Sequence, residues 1–422
     1  MGKKKQNWTT VKRRKSAIPE EIAVLGIDIG SKEHVVRFSA APGEREVPVR
    51  VENTSDGVAQ VLALLDARTE GDRSKAVVGF EPTGSYWQGF IAQLADAGVT
   101  IRVIQPLHTK KYKEIMDNSP NKSDDKDAGT IAELTRRGHG LLLRLPTGLY
   151  AKLRALNESD RRARQHGTRL KNQIRELVGH LFPELPARID PFTATGREIL
   201  QTTPTPSRWL ACRRHRRVER VRKASRGRLG EAWVDQLTQA ARHSLAVGEG
   251  VEPRIAELQY ALQELGRLEA FRARIEKQLV ACLPVCEEAP FLASIPDLGA
   301  ATVARLLGET GRLAEFETSG SVLKHSGLNL YGISTGRRKT TMVRYRITHR
   351  GRSQLRHILF FAALRLVQRG RIYHAFYTRL VNHGTAKIPA LVAVMRKLLG
   401  LLYALARDQA SFDPSHHLAQ AA

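Results

Sequence analysis

Cysteine is nearly missing from this 422-residue chain: Cys212, Cys282 and Cys286 are the only three. So sparse and odd a set builds no disulfide framework and suits a reducing compartment, here the cytoplasm. Cys282 and Cys286 are four residues apart, and no second ligand pair follows at the usual zinc spacing. No run of about 20 apolar residues occurs, so no membrane association is expected. The N-terminal MGKKKQNWTTVKRRK has no apolar stretch behind it, which excludes a secretory signal; residues 1–20 read as a basic arm. Negative charge is also scarce. The 42 Asp and Glu stand against 68 Lys and Arg, a formal charge of +26. That excess asks for a polyanionic partner, of which nucleic acid is the foremost. What is present in quantity is core material. Hydrophobic residues make up 42% of the chain, enough for a globular protein of two or three domains.

Along the chain, AVLGIDIG, HVVRFSA and VPVRVEN are strand-like, VAQVLALLDAR is helical, and KAVVGFE is a buried strand. WQGFIAQLADAG and TIRVIQP follow as helix and strand. The alternation predicts an α/β mixed sheet over residues 21–146, opened by an antiparallel meander. From Leu149 the pattern becomes a heptad seam through Leu153, Leu156, Asp160, Ala163, Gly167, Leu170, Ile174, Leu177 and Leu181, weakest in its middle. A second seam runs Ile255, Leu258, Leu262, Leu265, Leu268, Ile275, Leu279. The two can pair as an antiparallel hairpin, join another subunit, or form an ordinary bundle core. Between them RWLACRRHRRVERVRKASRGR carries ten Arg and Lys against one acid, Glu219. Arg213, Arg214, Arg216 and Arg217 are its candidate phosphate contacts. Residues 147–285 thus read as a helical, coiled-coil and basic region, 286–410 as a mostly α C-terminal domain, and 411–422 as a tail.

Four carboxylates stand out by context. Asp28 lies where one buried strand emerges, and Glu81 ends another before Pro82, Thr83 and Gly84. Asp124 and Asp127 begin a helix three residues apart, on one face. Singly, each acid has other uses: Asp28 can close a turn, Glu81 can pair with Arg102, Asp124 can cap a helix. Brought together, such carboxylates repel unless a cation neutralises them. Hard divalent ions, Mg2+ or Mn2+, take oxygen ligands and suit phosphoryl displacement.

GIDIG, FEPTGSYW and NKSDDKDA together resemble the acidic signature of the DEDD-type insertion-sequence transposases, a family that includes the pilin-gene invertase and bridge-RNA-guided recombinases. The resemblance implies a RuvC-like, RNase H-type catalytic domain, with Asp28, Glu81, Asp124 and Asp127 as catalytic metal ligands. In the C-terminal block, IPDLGAATVARLLGETGRLAEF is similar to the family's IPGIG segment, with Asp297 where a glycine is usual. HSGLNLYGISTGRRK and RITHRGRSQLR resemble its second catalytic region, where a serine before a glycine is the nucleophile. Counting back from Gly336, that position holds Thr335, with Ser334 one residue earlier; Ser334 is favoured because its hydroxyl is less hindered. Around it Arg337, Arg338, Lys339, Arg346, Arg350 and Arg352 offer charge to phosphates.

The resemblance further implies a dimer of dimers acting on donor and target duplex DNA, with a structured non-coding guide RNA reading sequence by base pairing. The expectation is therefore an insertion-sequence DNA transposase working at the nucleoid through a phosphoserine intermediate. Its rivals are a metal-dependent RuvC-like nuclease or junction resolvase using water, and a non-catalytic nucleic-acid-binding protein.

Overall fold

The structure is a computed structural model that describes residues 17–40, 46–82, 84–116, 124–143, 145–333 and 344–414, with Met116, Asp124, Asp125, Ile333 and Arg344 by their backbone alone. By its contacts the chain divides into two units, Met1–Leu145 and Pro146–Ala422.

The first unit is a mixed sheet with helices. Its elements are β1 (Ala23–Asp28), β2 (Glu33–Phe38), β3 (Val49–Glu52), α1 (Ser55–Thr69), β4 (Ala76–Phe80), α2 (Trp87–Asp96), β5 (Thr100–Val103), α3 (Pro106–Met116), α4 (Asp124–Arg136) and β6 (Leu141–Leu142). The sheet order is β3-β2-β1-β4-β5-β6. β1–β3 form the antiparallel meander, β1, β4 and β5 run parallel, and β6 closes the edge antiparallel. β1 and β4 are almost wholly apolar because helices cover both their faces. Leu25, Ile27, Val78 and Phe80 face the core shared with Val61 and Leu65 of α1 and Phe90 and Ile91 of α2. Alternate residues, Gly26 and Gly79, face α4. They are register partners, and neither tolerates a side chain. A Cβ on Gly26 would lie 2.2 Å from the Ala128 carbonyl oxygen, and one on Gly79 1.9 Å from the Thr135 hydroxyl.

The second unit begins with α5 (Gly148–Leu181), followed by α6 (Ala194–Thr202), α7 (Pro206–Ala211), α8 (Arg214–Ala224), α9 (Glu231–Arg242) and α10 (Val251–Ala281). Then come α11 (Ala289–Ala293), α12 (Ala300–Thr310), α13 (Ser319–Ser326), β7 (Leu330–Ile333), β8 (Arg344–Ile347), α14 (Ser353–Leu366), α15 (His374–Asn382) and α16 (Lys387–Asp408). The two heptad seams pair with each other. Gln173 bonds Glu257, Gly167 abuts Leu265 and Leu268, and Asp160 meets Arg272, an antiparallel order.

One core lies where α5 ends and α10 begins and includes Trp209, Val221, Val234 and Leu237 from α7–α9. The basic stretch is thus part of a packed helical cap. The other core joins Leu153, Ile275 and Leu279 to α11–α16. Among the described residues that C-terminal region is helical but for the antiparallel pair β7–β8. Its last helix, α16, is long and apolar enough by length and composition to cross a membrane, although the sequence offered no such run. Arg396 and Lys397 interrupt it, and Leu391, Val394, Leu398, Leu399 and Leu402 are buried in the core.

Asp297, in the turn before α12, has φ +65°, the left-handed region that glycine enters freely and aspartate tolerates better than most. Its carboxylate pairs with Arg371 at 3.0 Å.

Candidate active site

The sheet decides where the acids go. Asp28 follows Gly26 by two residues on β1 and so projects to the face covered by α4, while Glu81 follows Gly79 by two, just past the end of β4. Ile27 and Phe80 are the last register partners of the two strands, and Asp28 and Glu81 each follow that pair by one residue.

α4 runs opposite to β1. The Arg136 guanidinium at its C-terminal end donates to the carbonyls of Pro19 and Ile22, ahead of β1, and Ala128 and Ala132 lie over Gly26. Its first turn, holding Asp127, therefore points toward the Asp28 end of the strand. A helix N-terminus carries partial positive charge and favours the acid there. Beyond Asp28 the turn is fixed by a fully buried histidine. Gly30 N–H donates to His34 Nδ1 at 3.2 Å, and burial pushes the His34 imidazole below its ordinary pKa. A Cβ on Gly30 would strike the Glu33 carbonyl.

The partners of these acids come from an element the sequence did not mark. The Thr109 hydroxyl of α3, also within reach of the Pro106 carbonyl, donates to Glu81 Oε2. The Lys113 ammonium, one helical turn on, pairs with Asp127 Oδ1. The i, i+4 spacing of Thr109 and Lys113 directly after a strand was the available signal. Arg102, the alternative partner for Glu81, donates instead to the Gly138 carbonyl at 3.2 Å. Among the described residues no group of three His, Cys, Asp or Glu side chains is gathered at metal-ligating distance. The donor chemistry still fits one class of ion: carboxylate oxygens alone, with no thiolate or imidazole, suit a hard divalent cation.

In the second unit the basic residues sort themselves. Arg217 is buried; its guanidinium donates to Thr238 at 2.8 Å and lies over the Trp209 ring. Arg214 is held by Asp235 and Glu231. Arg213, Arg216, Arg220, Arg222 and Lys223 are exposed, with no carboxylate partner among the described residues. Arg346 and Arg350 are exposed near the hairpin, whereas Arg352 donates to the buried Glu309 at 2.8 Å. Ser334, Thr335, Arg337, Arg338 and Lys339 lie outside the described residues.

Two family profiles match the chain: a DEDD-type IS110 transposase profile over residues 25–183, and one described as transposase IS116/IS110/IS902 family over residues 289–378. The chain belongs to the IS110 family of transposases. The IS110 insertion-element 43.6 kDa protein of Streptomyces coelicolor is 25% identical over 93% of this chain and 96% of that protein. The IS116 insertion-element 44.8 kDa protein of Streptomyces clavuligerus is 25% identical over 94% and 98%. The pilin gene-inverting protein of Moraxella bovis is 31% identical over 33% of this chain and 44% of its own length. The first IS110 profile spans Asp28, Glu81, Asp124 and Asp127, and the second spans Ser334 and Thr335. This transposase thus carries its candidate acids and its candidate hydroxyls in two separate family regions.

Proposed function

We propose that this IS110-family transposase cuts and exchanges DNA strands at a RuvC-like acidic site, with a hydroxyl of Ser334 or Thr335 as nucleophile. What supports the reading is that Asp28 and Glu81 each directly follow the last register pair of the parallel strands β1 and β4, and that α4, with Asp127 in its first turn, covers Gly26 and Gly79 of those strands. Asp124, at the start of the same helix, completes the proposed set. These four would hold Mg2+ or Mn2+, which when bound would supply positive charge to the phosphoryl oxygens at the scissile position.

Asp28 ends β1 and Glu81 directly follows β4, while Asp127 enters from a helix packed against Gly26 and Gly79. In the proposed step the serine or threonine oxygen bonds to phosphorus as its proton leaves. The bond from phosphorus to the neighbouring sugar oxygen breaks, and that sugar departs as a hydroxyl. The phosphodiester energy is kept in the protein–DNA bond, so strands can rejoin without a nucleotide cofactor. Arg346 and Arg350 are placed to neutralise backbone charge, and the exposed face of α8 to carry an RNA that reads donor and target by base pairing. Assembly as a dimer of dimers belongs to the same proposal, as does the division into a sheet domain (21–146), a helical assembly region (147–285) and a C-terminal transposase domain (286–410).

The test is to incubate the protein with its co-purified RNA, element-end DNA and Mg2+, then look for a DNA-linked protein and map the linked residue. The reading expects an adduct at Ser334 or Thr335, lost in the double alanine variant. Cutting that persists in that variant, with no adduct at any stage, overturns it in favour of a water-using nuclease.

A further inference from the structure

One face of α3 touches two of the acids. Thr109 and Lys113 stand four residues apart, one turn along the helix, and reach Glu81 just after β4 and Asp127 on α4 respectively. Their settings differ. Thr109 is 5% exposed, whereas the side chains of Lys113 and Asp127 are 27% and 20% exposed. A threonine hydroxyl buried against a carboxylate fixes that carboxylate's direction, taking one lone pair and leaving the others for a ligand. A lysine ammonium at the margin of solvent behaves otherwise. It is a compact, well-hydrated single charge on a flexible stem, able to swing into water at small cost. Carboxylates that share a metal site repel, and before any divalent ion arrives some other charge has to compensate. Lys113 is the cation seen on Asp127.

We infer that α3 is the positioning element of the acidic site. Thr109 orients Glu81, and Lys113 is a resident countercharge on Asp127 that a divalent cation displaces. The inference rests on the metal reading given above and adds to it an order of events. The metal-free site is held together by Lys113, and metal binding competes with that ion pair. Two neighbours on one helix face then have opposite effects. Removing the Lys113 charge takes away a competitor and tightens metal binding. Removing the Thr109 hydroxyl frees Glu81 to turn and weakens it. A purely architectural role for α3 gives the same sign at both positions, because either change would loosen the site.

The experiment titrates Mn2+ into the metal-stripped full-length protein, by calorimetry or by the loss of the free Mn2+ paramagnetic resonance signal. The proteins compared are wild type, Lys113→Gln, Lys113→Arg, Thr109→Val and Asp127→Asn, with thermal unfolding in EDTA recorded for each. The expected results are a several-fold lower dissociation constant for Lys113→Gln and a several-fold higher one for Thr109→Val. Lys113→Arg, which keeps the charge, stays near wild type. In EDTA the Lys113→Gln protein melts lower than wild type, and Mn2+ raises its melting temperature by more. Unchanged or weaker Mn2+ binding in Lys113→Gln overturns the inference, as does tightening in Lys113→Arg equal to that in Lys113→Gln. These failures stand apart from failure of the metal site itself. If wild type binds Mn2+ and Asp127→Asn does not, the acidic site holds and only the role of Lys113 is lost. If wild type and Asp127→Asn behave alike, the metal reading falls and the inference with it.

Discussion

Asp160, midway along α5 in the helical unit, is 2% exposed and surrounded by Arg164, Arg272 and Arg305. Glu81 and Asp127 in the sheet unit are half-buried and are met by one hydroxyl and one ammonium from α3. Other buried acids of the helical unit are saturated in the same manner. Glu309 takes the guanidinium of Arg352 and the Asn157 amide, and Glu288 accepts the backbone N–H groups of Leu313 and Ala314. Multiple fixed donors on a buried carboxylate leave it no capacity for a ligand; its work is to register α5, α10 and α12 against one another. Glu81, just past β4, and Asp127, in the first turn of α4, keep oxygen lone pairs to give. Among carboxylates, then, the number and rigidity of partners separate architecture from candidate chemistry better than burial does.

The strongest way to break this contrast is to neutralise one acid of each kind. Asp28→Asn should abolish DNA cutting while leaving the denaturant midpoint in EDTA at or above wild type, because a like-charge repulsion has been relieved. Asp160→Ala should do the reverse by leaving three guanidinium groups around a buried void. The expected loss is about 3–5 kcal/mol, read by urea unfolding. Equal destabilisation by the two changes would erase the distinction. Next in size is Gly26→Ala, whose new Cβ would meet the Ala128 carbonyl at 2.2 Å. Forcing α4 off the sheet should cost about 1–3 kcal/mol and move Asp127 away from Asp28, so Mn2+ affinity falls with stability. Smaller still is the separation among arginines of the cap. Arg213→Glu with Arg216→Glu should weaken RNA binding and lower the salt slope by about one per lost phosphate contact, with the melting temperature unchanged. Arg217→Met should lower the melting temperature instead.

Much of the sheet unit was legible because strands and acids are local signals. An apolar run ending in Asp28 and another ending in Glu81 announce themselves, and the order of strands and helices follows from periodicity. Thr109 and Lys113 were passed over because their i, i+4 spacing marks one face of a helix without saying whether that face meets solvent or carboxylates; that depends on α3 docking beside α4. The helical unit hid more. The weak middle of the first seam is Asp160, whose partner Arg272 is 112 residues away. Likewise Arg217 looks like any other member of a basic run. Its burial depends on Trp209 and Thr238, although Val218 and Val221 at helical spacing were a hint that one side of α8 faces inward.

The smallest expected effect tests whether the two units also share something. Each holds a histidine whose pKa desolvation pushes below the ordinary value of 6.5: the buried His34 beside Gly30, and the half-buried His325, whose ring faces the Glu309 carbonyl with Arg352 and Arg154 adding repulsion. A base that is harder to protonate when folded binds more protons unfolded. Its stabilising contribution is therefore complete above about pH 6.5 and is lost as pH falls toward the depressed folded value. Both units should weaken between pH 7.5 and pH 5.5, and His325→Gln, which keeps a polar group facing the Glu309 carbonyl, should flatten the dependence of the helical unit alone. Urea midpoints at the two pH values, followed by separate probes in each unit, read this directly. If the helical unit's midpoint falls as steeply in His325→Gln as in wild type, acid sensitivity there belongs to other groups. His357 would be the next to examine, since burial and the neighbouring Arg164 also hold its imidazole below the ordinary value.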